Sequence, residues 1–202
     1  MSEGRTQSYE LPLFPLRTVL LPQGPLPLRV FEPRYLSMIS QCLRNDEGFG
    51  VVLLSKGSET GPATFHPIGT IARITDWYQG SDGILGITAM GTERFIARNS
   101  RVADDGLNIG TIEPLAPIPA MQLPEECQYL ADILRDVLDD FGRLYKDAQK
   151  DFDNADWVSC RLIEILPATP EDKQRCLECN SASERLSLVR ELVRAVRGTS
   201  GQ

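Results

Sequence analysis

A single histidine, His66, limits the covalent chemistry open to the 202-residue chain. An attacking hydroxyl or thiol needs a base within hydrogen-bond reach, so any Ser–His or Cys–His mechanism must pass through it. It precedes Pro67 in a Phe-His-Pro stretch read as a loop, where a packing or surface histidine is expected. Neither a Gly-x-Ser-x-Gly elbow nor a His-Glu-x-x-His zinc helix occurs. Phosphate-cradling loops end in Gly-Lys-Ser/Thr, which is missing too, so ATP hydrolysis is not expected. Gly48-x-Gly50 enters a strand instead of leaving one for a helix, and cannot seat a pyrophosphate on a helix N-terminus.

Cys176-Leu177-Glu178-Cys179 is the one tempting spacing, since two thiols two residues apart can bind metal or exchange disulfides. Structural zinc takes four ligands, however, and no second pair or nearby histidine supplies the others. A thioredoxin-like site would open a helix after a strand, whereas this pair falls near a helix end between helices. Core packing of Cys176 with a half-exposed Cys179 is the expectation; a thiol-dependent or hydrolytic enzyme using Cys176/Cys179 or His66 is the rival. The acidic residues Asp139, Asp140, Asp151, Asp153 and Asp156 fall on outer helix faces or at caps, where they solvate a helix or complement its dipole. No catalytic, cofactor-binding or metal-binding constellation emerges, and no cofactor is expected.

Net charge is −7, from 28 acidic and 21 basic residues. That balance repels phosphate backbones and anionic lipid, so neither nucleic acid nor a membrane surface is an expected partner. With 42% hydrophobic and 24% charged residues, the composition is that of a globular protein, long enough to bury roughly 70% of its unfolded surface. Five cysteines make an odd number, with no secretory leader expected, which fits reduced thiols in a cytoplasm. The apolar stretch after Tyr9 is broken by Pro12, Pro15, Pro22, Pro25 and Pro27 and by Arg17 and Arg29, and no run nears the ~18 residues of a membrane span.

The elements that must position these residues change character at Pro114–Pro119, a proline-dense connector. Before it, apolar runs of period two predict strands over Leu11–Leu16, Leu26–Phe31, Phe49–Ser55, Gly69–Trp77, Ile84–Met90, Arg94–Arg101 and Leu107–Leu115. Their spacing predicts a closed or nearly closed antiparallel barrel. Ser81-Asp82-Gly83 marks a hairpin whose strands should pair directly. One helix interrupts them: Pro33 at its first turn, Tyr35, Leu36, Ile39, Cys42 and Leu43 at helical spacing, and a stop at Asn45–Gly48. Cys42 reads as core filler. After the connector, Pro124 opens a predicted five-turn helix with Cys127, Leu130, Leu134, Val137, Phe141 and Leu144 as its stripe. Asp153 or Asn154 caps a second, burying Trp157, Val158, Leu162, Ile165 and Leu166. Thr169-Pro170-Glu171-Asp172 starts a third, and Ser181 with Glu184 caps a fourth that Gly198 closes. The fold class is therefore α+β: a β-barrel-like lobe with one interrupting helix, residues 1–117, followed by an α-helical bundle, residues 118–202.

Three separated blocks carry a family resemblance. LPLFPLRTVLLPQGPLPLRVFEPRY (Leu11–Tyr35), GTIARITDW (Gly69–Trp77) with GTERF (Gly91–Phe95), and LP followed by EDKQRCLE and SERL (Leu166–Leu186) are similar to the N-terminal substrate-binding domain of the Lon ATP-dependent proteases. The likeness spans about residues 10–196, and the chain resembles a free-standing form of that domain without the ATPase ring or Ser–Lys protease. Two departures stand out: Gln23 where many members carry glycine, and the cysteine pair where the helical tail usually shows aliphatic residues. The resemblance implies a barrel-like lobe joined to a helical bundle and a role in recognising unfolded or tagged proteins. An unpaired barrel edge or an apolar groove between the lobes could hold such segments by backbone pairing or side-chain burial. Phe31, Arg34 and Tyr35, with Trp77 and Tyr78, are the candidate peptide-binding positions. Aromatics at a strand end and helix start also serve as core residues, and that alternative stays open. An adaptor docking on a separate protease or chaperone assembly is the other function the resemblance allows.

Overall fold

The computed structural model describes residues 7–57, 63–140, 145 and 150–199. The chain divides into two compact units, Met1–Pro117 and Ile118–Gln202.

In the first unit the seven apolar runs become six strands: β1 (Tyr9–Leu16), β2 (Pro25–Val30), β3 (Phe49–Gly57), β4 (Ala63–Gln79), β5 (Leu85–Val102) and β6 (Asn108–Pro114). Ile84–Met90 and Arg94–Arg101 merge into β5 across Gly91, where an added Cβ would lie 2.3 Å from the Leu21 carbonyl oxygen. Helix α1 (Pro33–Asn45) interrupts the strands as the proline and apolar spacing require, and Asp46 ends it in the left-handed region. Gln23 also adopts a positive φ of 60°, a conformation that glycine accepts without penalty.

Pairing follows the order β2-β5-β4-β3-β1-β6, and β6 pairs β5 as well. Strand β5 carries β4 along one side and β2, then β6, along the other. The expectation of purely antiparallel pairing is corrected at one ladder: β1 and β3 run parallel, with Leu13 opposite Gly50. The intervening chain, holding β2 and α1, is long enough for the crossover that parallel strands need. The Ser81–Gly83 turn does join directly paired strands, with Gln79 opposite Leu85 and Gly83 at a φ of 79°. His66 is not in a loop; it lies within β4, half-buried, where the register with β3 shifts between Val52–Gly69 and Leu54–Phe65. The irregular stretch spares Pro67 the ladder N–H that it lacks.

The prolines of β1 explain its placement. Tyr9–Pro12 pair β6 alone, Leu13 pairs both β6 and β3, and Phe14–Leu16 pair β3 alone, so Pro12 and Pro15 each have one neighbouring strand in register and an open side for the ring nitrogen. Leu13 sits where the two ladders meet, fully buried beside Phe95. Gly50, Gly69 and Gly110 make room there: a Cβ on any of them would come within 2.8 Å of Leu13, Phe95 or the Val51 backbone.

The second unit holds a 3₁₀ turn (Glu125–Cys127), α2 (Gln128–Asp140), α3 (Ala155–Ile165), α4 (Pro170–Glu178) and α5 (Ala182–Thr199). The helix expected to begin at Pro124 starts as that 3₁₀ turn; of its expected stripe Cys127, Leu130 and Leu134 are buried, while Val137 is half-buried and Leu138 is the buried residue of that turn. Phe141 and Leu144 lie outside the described residues. Helix α3 packs against α2, α4 and α5 and is buried from Trp157 to Ile163. Its cap is Asn154, whose side chain accepts from the Asp156 and Trp157 amides. Thr169 caps α4 by accepting from Asp172 N at 3.1 Å, and Ser181 Oγ accepts from Glu184 N at 3.2 Å at the start of α5. No helix among the described residues is long and apolar enough to cross a membrane.

Two arginines interrupt this helical core. Arg161 and Arg185 are fully buried. Arg161 pairs with Glu164 at 2.8 Å, which also accepts from the Tyr145 hydroxyl at 3.0 Å. Arg185 meets the Asp156 carboxylate, the Cys176 carbonyl at 2.7 Å and Cys160 Sγ at 3.2 Å.

Candidate functional site

The five candidate positions separate into buried and exposed groups. Tyr35 is only 1% exposed, its ring stacked on Phe14 at 3.8 Å and 17°. It is a core residue and offers no contact surface, which corrects its place among the binding positions. The first turn of α1 lays it inward because Pro33 sets the entry angle and the apolar spacing points it at β1. The Arg34 side chain is 12% exposed. It donates to the Gly106 carbonyl at 2.6 Å, pairs with Glu32 at 2.9 Å, and lies 4.7 Å over the Tyr35 ring. It thereby latches the α1 start to the β5–β6 turn.

Phe31, Trp77 and Tyr78 are 63%, 60% and 55% exposed. Their register brings them to one end of the sheet. Val30, just before Phe31, pairs Leu85, which also pairs Gln79; one rung inward, Gly86 pairs both Arg29 and Tyr78. Two strand spacings therefore separate β2 from β4, about 10 Å. The pleat sends Trp77 to the face of Ile87 and Leu28 and Tyr78 to the face of Gly86 and Arg29. Tyr78 covers Gly86 so closely that an added Cβ would sit 2.3 Å from its ring. The adjoining hairpin tip is tied down by an Arg29–Asp82 ion pair. The Ile84 amide, donating to Asp82, and then Arg29 hold that carboxyl below the usual aspartate range. Three large aromatics thus stand out from a braced strand end.

The edge beside them is closed to backbone pairing. Gly91 N donates to the Gly24 carbonyl, so residues 24, 26, 28 and 30 face β5 and 25, 27 and 29 face outward. Pro25 and Pro27 stand at two of the three outward positions and donate nothing. A peptide meeting this end must bind through side chains.

The rival chemistry finds no support in the thiols. All five cysteines are free and buried, including Cys179, which corrects its expected half exposure: as the residue ending α4 it is turned inward and donates to the Arg175 carbonyl. Burial pushes the Cys42 and Cys160 thiols up to about 11 and Cys176 to about 12, the reverse of what a reactive thiolate needs. Among the described residues no group of three His, Cys, Asp or Glu side chains is arranged to hold a metal ion.

A second concave feature was not anticipated from sequence. Beside the N-terminal half of β1 runs a cleft of about 550 Å³, floored by Leu11 and Ile71 and rimmed by Tyr9, Glu47, Arg73 and Glu93. Four distant stretches of chain form it, so periodicity could not reveal it; Pro12, marking a one-sided strand, was its only signal.

With this geometry, the comparisons with known proteins agree in one direction. The family model described as the ATP-dependent protease La (LON) substrate-binding domain matches residues 10–195. A Lon N-terminal domain protein from Xanthomonas campestris has a solved structure that is 35% identical with a TM-score of 0.76, covering 91% of this chain and 98% of that one. Lon protease of Anaeromyxobacter dehalogenans is 24% identical over 93% of this chain and 23% of its own length; that of Nitratidesulfovibrio vulgaris is 26% identical over 95% and 25%. The chain spans about a quarter of the length of these curated relatives.

Proposed function

The chain belongs to the ATP-dependent protease La (LON) substrate-binding domain family, and on that premise we propose that it holds exposed or extended segments of other polypeptides and leaves their covalent bonds alone. The observation that carries the proposal is the trio Phe31, Trp77 and Tyr78, three large aromatics exposed at one braced end of the sheet, with Trp77 and Tyr78 on its opposite faces. Burying such side chains against a client contributes about 1.5–3 kcal/mol each, while leaving them in water serves no packing purpose. Arg34 and Tyr35 act behind them by fixing the corner that presents Phe31. The same reading takes the first unit as barrel-like and the second as a helical bundle. The pairing of β6 with both β1 and β5 supports the one, and the packing of α3 on three other helices the other. A cytoplasmic setting belongs to the reading too, supported by five free thiols.

Titration of the chain into a reduced, unfolded model protein tests it. Saturable binding is expected, weakened about tenfold or more by Phe31→Ala with Trp77→Ala. The paired variant should keep its stability within about 0.5 kcal/mol, since both side chains are exposed. No binding at high micromolar concentration defeats the proposal; binding indifferent to both changes moves the contact surface elsewhere.

A further inference from the structure

We propose that the cleft beside β1 accepts an extended, lysine- or arginine-bearing segment of a client polypeptide. The inference rests on the client-binding reading and names the chemistry of the client at a second place on the first unit.

Two observations carry it. The first is an unpaired strand side. β6 covers one side of Tyr9–Pro12, while β3 pairs only from Leu13 onward, so among the described residues no strand faces the other side. Pro12 must turn its nitrogen to that open side, and with a period of two Glu10 presents its amide and carbonyl there as well. One donor and one acceptor therefore await an incoming backbone.

The second observation is charge. Glu10, Asp46, Glu47 and Glu93 line the cleft and Arg73 is the single cation among its lining residues. Arg101 engages Glu10 with hydrogen bonds at 3.0 and 3.2 Å, and Arg73 lies 3.5 Å from Asp46. Glu47 and Glu93 have no cationic partner among the described residues. Burial, and after it the Glu93 carboxylate, raise the Tyr9 hydroxyl pKa against the opposing pull of Arg73. Two uncompensated carboxylates above an apolar floor of Leu11 and Ile71 repel an acidic segment, whereas a basic one gains two charge pairs and lays its aliphatic stems along the floor. A short strand alternating cationic and apolar residues meets both demands, since its two faces differ every second residue.

The test uses a labelled peptide alternating lysine and valine and its glutamate–valine counterpart, with anisotropy read at low and high salt. The chain should bind the lysine peptide, lose affinity as salt screens the pairs, and ignore the glutamate peptide. Glu47→Gln with Glu93→Gln should weaken the lysine peptide about tenfold, the sum of two exposed charge pairs. Methylating alternate backbone nitrogens of the lysine peptide should weaken it further, which charge alone would not do. Equal affinity for the two peptides, unchanged affinity in the double variant, or no peptide binding overturns the inference. If the unfolded model protein still binds in those cases, the client-binding reading stands without the cleft; if it too is ignored, both fall. Self-association abolished by the double variant would make a second copy the occupant and overturns the inference as well.

Discussion

Replacing Asp156 by Asn should destabilise the helical unit by about 3 kcal/mol, because it strands a cation with no access to water. The Arg185 side chain is about 1% exposed, and its other polar contacts are neutral: the Cys176 carbonyl at 2.7 Å and the Cys160 thiol at 3.2 Å. Removing the sole carboxylate from such a group costs about 3–5 kcal/mol. Asp156 is itself 25% exposed and keeps some hydration, which places the loss at the lower end of that range. Replacing Arg185 by Met removes the cation together with its demand for a partner, so the Asp156→Asn penalty should nearly vanish in an Arg185→Met background. The two tryptophans make the measurement local. Trp157 is buried on α3 and Trp77 is exposed on β4, so a Trp77→Phe background leaves Trp157 as the sole emitter. With a slope of about 1–1.5 kcal/mol per molar urea, the loss should lower the urea midpoint of Trp157 emission by roughly 2–3 M. A midpoint shift below a third of that, or equal penalties with and without Arg185, would refute the reasoning.

Glu164 should make stability depend on pH. Burial raises its carboxyl from 4.5 to about 7, against the opposing pull of Arg161, the Tyr145 hydroxyl and Lys173. The folded state therefore holds the proton more tightly than the unfolded chain. Its contribution is full below about pH 4.5, declines as pH rises to about 7 and is flat beyond, a change of at most about 3 kcal/mol. Urea midpoints at pH 5 and 8 should differ less in Glu164→Gln than in the parent, and identical differences would count against the assignment. In the first unit, Gly69→Ala should cost about 2–3 kcal/mol in thermal unfolding, since its Cβ would lie 2.4 Å from the Val51 carbonyl and 2.8 Å from Phe95. Gly83→Ala, with open space but a φ of 79°, should cost only about 1 kcal/mol; equal losses would show that packing around Gly69 gives way.

What the sequence revealed follows a physical divide between local and non-local signals. Pro33, Thr169-Pro170, Asn154 and Ser181 act on the backbone within a turn of themselves, and each begins its helix where the chain chemistry places it. The Ser81–Gly83 hairpin is equally local. The parallel β1–β3 ladder is not: it joins runs separated by a strand and a helix, and nothing in either run specifies direction. Nothing in the sequence marks Arg161 and Arg185 as buried, because the partners that hold an arginine in a helical core, one of them 29 positions away, are visible only in the fold. Among the candidate binding residues, aromatic identity alone could not divide Tyr35 from Phe31. Strand β2 ends before Phe31 and α1 starts at Pro33, between the two residues, and only the stacking on Phe14 shows which was recruited to the core.

Two open strand sides among the described residues of the first unit, at β2 and at the start of β1, differ in a way that bears on the proposed holding of a client. At β2 the outward positions are Pro25, Pro27 and Arg29, so the side next to Phe31 is nearly stripped of donors and is protected from pairing with stray strands. On the proposed reading, recognition at that end is left to aromatic surface, which accepts many sequences because burial is non-directional. At β1, Pro12 removes one donor and Glu10 keeps its own, while Glu47 and Glu93 add a charge requirement that an arbitrary strand does not meet. A chain that must engage exposed segments without aggregating with them has to separate stickiness from pairing. Under the two proposals proline placement does so, giving one end apolar contact without backbone pairing and the other a short pairing step conditional on positive charge.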